Sequence, residues 1–128
     1  LRADGPTDRP FPVANAAATR DFVDVRDVAE AVVALTERAE PDRGEAQVYN
    51  IASGEETPIL AVAVRLCVLA GKRRAVAQGG RPSRSGVARS RGDASRLRRA
   101  VGWVPRVRWE QSIEDLWREL RDGMARAA

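Results

Sequence analysis

The chain has 128 residues, of which 44% are hydrophobic and 31% charged, so its length and composition fit one domain with a modest core. It contains no His and a single cysteine, Cys67, which excludes an internal disulfide, a cysteine-built metal site and His-based catalysis within these residues. No apolar run reaches membrane-spanning length and no signal peptide opens the sequence. We therefore expect a cytoplasmic protein that binds no transition metal and does not enter a membrane.

The charge is unevenly distributed along the sequence. The net charge is +4, but the segment from Lys72 to Arg108 holds 12 basic residues and one acid, Asp93, and so carries +11. Such a segment suggests a surface that faces an anion. The alternative is compositional bias, because Arg outnumbers Lys 21 to 1. That alternative stays open for most of these arginines and is weaker for Arg81, which lies between Gly and Pro where the chain must turn.

The first third of the chain predicts a loop followed by a helix. Residues 1–19 contain three Pro and show no periodicity, so we expect a loop or the cut end of something upstream. A short apolar patch at Phe22–Val25 is a candidate strand end. A helix should follow through Ala39, because Asp27 and Glu30 have the spacing of a capping box and the apolar positions share one helical face.

The middle of the chain predicts a strand and a second helix. The short run Gln47–Ala52 is typical of a buried strand. Thr57 and Pro58 predict a helix start, since Thr can accept a hydrogen bond from a free backbone N–H and Pro suits the first turn. We interpret Cys67 on its apolar face as a packing residue, because no His is present to activate it, and Gly71 should end the helix.

The last third predicts two more helices after a weak strand at 74–77 and a loop at 78–92. Asp93 can cap a short helix that ends at Gly102. Ser112 and Asp115 have capping-box spacing at the start of the final helix. We interpret the apolar stripe of that helix as core; it comprises Ile113, Leu116, Trp117, Leu120 and Met124. The element order indicates an α/β fold.

Few residues in the sequence carry chemistry. It has no Gly-x-x-Gly-x-x-Gly run and no P-loop, and the only Tyr, Tyr49, is followed four positions later by Ser53 rather than Lys. We therefore assign no catalytic, cofactor-binding or metal-ligating residue to this chain. Arg20 and Arg81 remain as candidates that could each bind a diphosphate through bidentate hydrogen bonds.

Four blocks of sequence, in the right order, resemble the extended short-chain dehydrogenases/reductases that act on sugar nucleotides. The resemblance covers residues 15 to about 120 and is greatest to the GDP-sugar branch, which includes GDP-4-keto-6-deoxymannose reductase and GDP-mannose 4,6-dehydratase. The blocks are Asn15 with Arg20-Asp-Phe-Val-Asp-Val-Arg-Asp27, then Val48-Tyr-Asn-Ile-Ala-Ser-Gly54, then Arg81-Pro-Ser, then Gly92-Asp-Ala-Ser-Arg-Leu97 with Gly102-Trp-Val-Pro105.

The resemblance implies the C-terminal portion of an extended short-chain dehydrogenase/reductase: the last strand and helices of a Rossmann-type sheet plus a small, mainly helical substrate-binding subdomain. Residues 20–128 would bind a nucleoside-diphosphate sugar. NAD or NADP would bind an N-terminal Rossmann part that this chain lacks. By the resemblance, Asn15 lies along the substrate, Arg20 meets the diphosphate, and Arg81 meets the diphosphate or the ribose.

The resemblance also implies that the full-length protein is a homodimeric reductase, epimerase or dehydratase, and that this chain alone is inactive. The resemblance identifies neither the base nor the sugar of the substrate, and it does not decide between NAD and NADP as the cofactor. Two residues depart from the pattern: Ala14 stands where the branch has Gly, and Arg84 stands near where an acid often bonds the ribose. The only Met is Met124, which indicates a piece of a longer protein.

Two other hypotheses stay open. The +11 segment could serve a nucleic-acid-binding module, although only Trp103 and Trp109 are placed to stack on bases and we do not expect nucleic acid as a partner. Trp103 is instead expected to pack the small subdomain. The chain could also be a degenerate, non-catalytic relative that serves only as a binding partner.

Overall fold

A computed structural model of the chain describes residues 10–38, 46–71, 76–79 and 86–126. The helices are α1 (Val25–Arg38), α2 (Ile59–Leu69), α3 (Ser95–Val101) and α4 (Trp109–Arg126). The strands are β1 (Phe11–Val13), β2 (Thr19–Arg20), β3 (Thr57–Pro58) and β4 (Val76–Gln78). β1 pairs with β4 in parallel, and β2 pairs with β3 in antiparallel. This mixture of helices and strands is what the α/β prediction requires.

The core lies between α1 and α3. Ala31 of α1 packs against one face of α3 and against Trp103, which follows that helix. The cluster of buried residues comprises Ala31, Ala94, Leu97, Val101 and Trp103. Trp103 is 5% exposed, which confirms the packing role predicted for it. The second layer is formed by α2, which packs against α4 and against both strand pairs.

Asp27 does not cap α1, as its spacing predicted, but lies inside the helix. The cap is Asp24, whose carboxylate accepts the N–H of Arg26 at 2.8 Å and whose carbonyl accepts the N–H of Val28. Asp24 precedes the first helical residue and so has a backbone free to leave the helix, which a residue one turn further along does not have. The capping-box prediction was therefore wrong by three residues.

The carboxylate of Asp27 has a different function, because it is 1% exposed and fastens α1 to the segment after α3. Its Oδ2 accepts the backbone N–H groups of Arg106 at 3.1 Å and Val107 at 3.0 Å. Its carbonyl oxygen accepts the indole N–H of Trp103 at 2.9 Å. The same residue thus satisfies three donors of residues 103–107, which would otherwise be left without partners beside the core.

The run Gln47–Ala52 is not a strand in the structure, and that prediction was wrong. A strand needs a neighbouring backbone, and no strand pairs with this run in the described parts of the chain. The carbonyl of Val48 instead accepts the guanidinium of Arg96 at 3.1 Å. The side chains of this run nevertheless alternate, since Tyr49 and Ile51 pack on the core while Val48 is 72% exposed.

The start of α2 also differs from its prediction. Thr57 does not cap the helix, because its backbone belongs to β3 and pairs with Arg20. The first N–H groups of α2 are accepted by backbone carbonyls: Ile59 donates to Ala18 at 2.9 Å and Leu60 donates to Ala16 at 3.1 Å. These long-range partners replace the side-chain cap that the local sequence suggested.

The ends of two helices follow the prediction. Gly71, after α2, has φ +64°, and Gly102, after α3, has φ +71°, which is the left-handed conformation that glycine adopts at no steric cost. The N-cap of α3 is Ala94 rather than the expected Asp93, which lies one residue earlier and accepts the N–H of Ser95 at 2.8 Å. The weak strand expected at 74–77 corresponds to β4, while β1 lies in a stretch expected to be a loop.

The last helix begins at Trp109, three residues before the predicted start, so Ser112 and Asp115 lie inside it. Its apolar stripe is only partly core. Packing on α2 leaves Ile113 and Trp117 half-buried, whereas Leu116, Leu120 and Met124 are at least half exposed. The core interpretation is therefore wrong for those three residues, for which α2 does not provide enough cover. Cys67 on α2 is half-buried.

Arg26 joins the start of α1 to α4. Its guanidinium donates to both carboxylate oxygens of Asp24, at 2.8 and 2.9 Å, and pairs with Asp115 at 2.9 Å. The hydrogen bonds from Arg26 hold the pKa of the buried Asp24 carboxyl well below its ordinary value of 3.8, although burial opposes them. Because the pKa is lower in the folded state, the stabilisation is present above about pH 4 and is lost as the pH falls below it.

We therefore expect Asp24→Asn to lower the free energy of unfolding by about 1–2 kcal/mol at pH 7. The difference from wild type should shrink steadily below about pH 4, because the carboxyl of the unfolded chain then takes up a proton while that of the folded protein, with its lowered pKa, stays ionised. Thermal unfolding followed by circular dichroism between pH 7 and pH 3 measures this, with the exposed Asp122→Asn as the matched control. A difference that is constant across this range would contradict the account.

Asp27→Ala removes the acceptor of two backbone N–H groups and should lower the free energy of unfolding by about 2–4 kcal/mol. Urea denaturation followed by Trp fluorescence measures this, because Trp103 reports on the core. Glu30→Ala is the control on the same helix, since its ion pair with Arg106 is exposed and should be worth less than about 1 kcal/mol. Equal losses in the two variants would show that the buried bonds contribute nothing.

Candidate functional site

Asn15 lies in the turn that joins β1 to β2. Its φ is +53°, a left-handed conformation that Asn tolerates better than most residues. Its carbonyl accepts the N–H of Ala18 at 2.8 Å, which closes the turn. The turn presents the carbonyls of Ala16 and Ala18 to the start of α2, so the position of Asn15 is fixed by both a strand pair and a helix.

Arg20 lies in β2 five residues later and is half-buried. Its backbone pairs with Thr57 on one side of the strand. On the other side Thr19 donates to the carbonyl of Ala88 at 2.9 Å and accepts the N–H of Ser90 at 3.2 Å. β2 is thus held between β3 and residues 88–90, which fixes the backbone from which the Arg20 side chain extends.

The structure brings together two of the three predicted binding residues. Asn15 and Arg20 share one short connection, whereas Arg81 lies outside the described residues. The chain is described again from Gly86, and this part of it approaches β2. The segment that follows Arg81 in the sequence therefore contacts the strand that carries Arg20.

A hydrogen-bonded group beside this strand was not found from the sequence. Glu56 accepts the side chain of Arg89 at 3.0 Å and the hydroxyl of Thr19 at 3.3 Å. The hydrogen bond from Arg89 lowers the pKa of Glu56 below its ordinary value. No local pattern indicates this pair, because its partners are 33 residues apart.

Asp21 is the second residue that sequence reasoning missed, although it belongs to the quoted Arg-Asp-Phe motif. Its Oδ1 accepts the backbone N–H of Ser53 at 2.8 Å and the hydroxyl of Ser53 at 2.6 Å. Its Oδ2 accepts the N–H groups of Gly54 and Gly92, both at 2.9 Å. Burial alone would raise the pKa of Asp21, but these hydrogen bonds outweigh it and lower the pKa.

The described residues offer groups that can bind an anion. They contain no group of three side chains suited to a metal ion. The sequence has neither a Gly-rich dinucleotide loop nor a Tyr-x-x-x-Lys, so these residues do not fit a nicotinamide cofactor and we derive no redox step from them. A guanidinium on a fixed strand suits a phosphate or carboxylate. In the described part of the chain, no helix is long and apolar enough to cross a membrane.

Comparison with solved structures defines the class of protein. A Bordetella bronchiseptica enzyme, WbmF, solved in complex with NAD+ and UDP, superposes with a TM-score of 0.69 at 27% identity, over 91% of this chain and 33% of its own. The structure of RMD from Pseudomonas aeruginosa complexed with NADPH gives a TM-score of 0.68 at 33% identity, over 82% of this chain and 33% of its own. The fold is therefore that of part of an extended short-chain dehydrogenase/reductase of Rossmann type.

Comparison of sequences narrows the identification from this fold class to one family. Residues 3–116 match the GDP-mannose 4,6 dehydratase family, and the chain belongs to that family. It is 43% identical over 103 residues to the putative GDP-L-fucose synthase 2 of Oryza sativa, and 33% identical over 96 residues to the GDP-6-deoxy-D-mannose reductase of Pseudomonas aeruginosa. These alignments cover 80% and 74% of this chain but only 28% and 30% of the relatives. The resemblance to the GDP-sugar branch is confirmed.

Gly92 marks the closest approach of two segments at this site. A Cβ built on it would lie 2.3 Å from the Cβ of Ala52, a distance that real side chains do not adopt. We expect Gly92→Ala to force the two segments apart and to lower the free energy of unfolding by about 1–3 kcal/mol. Gly86→Ala is the matched control, since its Cβ would meet nothing within 4 Å. Urea denaturation of both variants measures the difference, and equal midpoints would contradict the close packing.

Proposed function

We propose that this chain is the substrate-binding part of an NAD(P)-dependent reductase, epimerase or dehydratase, and that it binds the nucleoside diphosphate of a GDP-sugar. Asn15 and Arg20 contact this ligand, with Arg81 as a further contact to the diphosphate or ribose. Three observations support this proposal: the family to which the chain belongs, the names of its relatives, and the absence of a carboxylate partner for Arg20 among the described residues. WbmF, solved with UDP, is a neighbour that holds a nucleoside diphosphate.

The observation that carries the proposal is the absence of a carboxylate partner for Arg20 among the described residues. Its one hydrogen bond there is from NH1 to the carbonyl of Thr19, at 2.7 Å. Six other arginines in the same parts of the chain pair with carboxylates, and those that do not and whose side chains the structure describes are, unlike Arg20, exposed; the paired ones are Arg26, Arg65, Arg89, Arg106, Arg108 and Arg118. A half-buried guanidinium without an anionic partner favours an anion from outside, and a diphosphate accepts the paired N–H groups of Arg.

NAD or NADP enters this proposal as a cofactor held elsewhere in a longer polypeptide. The neighbours solved with NADPH and with NAD+ support its use in the family. When bound, the nicotinamide supplies hydride exchange with the sugar. In such an enzyme, the residues of this chain hold and orient the nucleotide end of the substrate.

No observation favours the nucleic-acid hypothesis. Several arginines of the +11 segment bind groups of their own chain: Arg89 bonds Glu56, Arg96 bonds Val48 and lies over the ring of Tyr49, and Arg108 bonds Glu110. Trp103 is buried and therefore has no face on which a base could stack. These contacts reduce both the free positive charge and the aromatic surface that such a module would need.

Arg20→Ala should weaken GDP binding by tenfold or more, since hydrogen bonds between charged groups are worth about 1.5–3 kcal/mol. We expect the wild-type chain to bind GDP with a dissociation constant of about 1 mM, which corresponds to about −4 kcal/mol. Titration followed by two-dimensional NMR measures this, with shifts expected at the amides of Thr19, Arg20 and Asp21.

Two controls make the titration specific. Guanosine lacks the phosphates and should leave the amide of Arg20 unmoved. Arg121→Ala removes the same charge from the exposed face of α4 and should bind GDP as wild type does. The proposal fails if wild type shows no response up to about 10 mM GDP, a concentration ten times the expected constant, or if Arg20→Ala binds as tightly as wild type.

A further inference from the structure

The carboxylate of Asp21 joins three segments that are far apart in the sequence. It lies directly after β2, and its four hydrogen bonds reach Ser53, Gly54 and Gly92. The first two residues follow the Gln47–Ala52 run and precede β3, the strand that pairs with Arg20. The third ends the segment 86–92, whose residues 88–90 pair with Thr19.

Through these hydrogen bonds, the Asp21 side chain holds the segments on both sides of β2. One neighbour, β3, is approached through the turn at Ser53 and Gly54. The other is the stretch described from Gly86 onward, which follows Arg81 in the sequence. A displacement of the Asp21 carboxylate would therefore release both β3 and residues 88–90 from their places beside the strand of Arg20.

We propose that Asp21 is a positioning residue for the nucleoside diphosphate, because its hydrogen bonds hold both segments that flank β2 and so fix the strand from which Arg20 extends. Asp21 does not itself touch the ligand, since both of its oxygens are used by donors of the protein. This role rests on the proposed function and adds to it a residue that positions the predicted phosphate contact Arg20.

The requirement for a carboxylate, rather than any polar group, follows from the donors around it. All four partners donate, two to each oxygen. Asn has nearly the same shape, but its NH2 group would point either at the Ser53 donors or at the N–H groups of Gly54 and Gly92. An NH2 that faced Gly54 and Gly92 would meet two backbone N–H groups; one that faced Ser53 would meet one, since the hydroxyl can turn to accept. In either orientation at least one backbone N–H faces a donor, which is repulsive and leaves it without an acceptor.

A double-mutant cycle on GDP binding tests the coupling, using wild type, Asp21→Asn, Arg20→Ala and the double variant. If Asp21 acts through Arg20, Asp21→Asn should weaken GDP binding at least fivefold in the wild-type background and less than twofold in the Arg20→Ala background. Asp122→Asn, an exposed carboxylate on α4, should leave GDP binding unchanged. Equal fold-losses in the two backgrounds, or no loss in either, would overturn the proposal.

Ser53→Ala provides a milder variant in case Asp21→Asn does not fold. It removes only the hydroxyl that donates to Oδ1 and leaves three bonds to the carboxylate. We expect the same pattern of losses with a smaller amplitude, about twofold in the wild-type background and none with Arg20→Ala. A loss that persists undiminished in the Arg20→Ala background would overturn the proposal.

A second measurement separates this proposal from the proposed function. If wild type does not bind GDP, the proposed function fails, and amide hydrogen exchange then decides the role of Asp21. Asp21→Asn should speed exchange at the amides of Thr19 and Ser90 by tenfold or more relative to Asp122→Asn, since these amides form the bonds between β2 and residues 88–90. Unchanged exchange at both amides would overturn the positioning role.

Discussion

The arrangement of this chain depends on one buried carboxylate, that of Asp27. Asp27 lies on α1 beside the core. Its carboxylate accepts the two backbone N–H groups of residues 106–107, and its carbonyl oxygen accepts the indole N–H of Trp103. Those bonds fix the segment that leaves α3, and the same segment leads directly into α4. A small core of alanines, one Leu, one Val and one Trp is sufficient here because its polar boundary is satisfied.

The stretch Arg20–Asp27 concentrates four different physical roles in eight residues. Arg20 presents a guanidinium without a carboxylate partner among the described residues. Asp21 accepts from four donors in two distant segments, Asp24 caps α1 and binds Arg26, and Asp27 fixes the segment after α3. The three aspartates differ in function because each faces a different set of donors.

Local signals in the sequence were sufficient for parts of the fold. Helical periodicity located α1 and α2, the polar start at Asp93 located α3, and the glycines at 71 and 102 marked two helix ends, because these features depend on residues within one or two turns. Long-range partners decided the rest. Thr57 pairs with Arg20 in β3 and so does not cap α2. Gln47–Ala52 has no strand to pair with among the described residues. The last helix, α4, begins earlier than its predicted capping box.

The residues of the candidate site divide in the same way, into those that the sequence identified and those whose role depends on distant partners. Arg20 and Asn15 were identified through a motif, and the structure places them on one connection. Asp21 and Glu56 were missed, because their donors lie 32 to 71 residues away along the chain and leave no local pattern. The uneven charge has a partial structural explanation, since several arginines of the basic segment bind groups of their own chain and only some remain for an anion.

The central claim is that Arg20 binds a phosphate of a nucleoside diphosphate, and a crystal structure of the chain grown with GDP tests it most directly. The account predicts a guanidinium nitrogen of Arg20 at roughly 2.7–2.9 Å from a diphosphate oxygen, with Asn15 beside the ligand. GDP bound at another surface, for example at the exposed arginines of α3, or Arg20 paired with a carboxylate of its own chain, would contradict it.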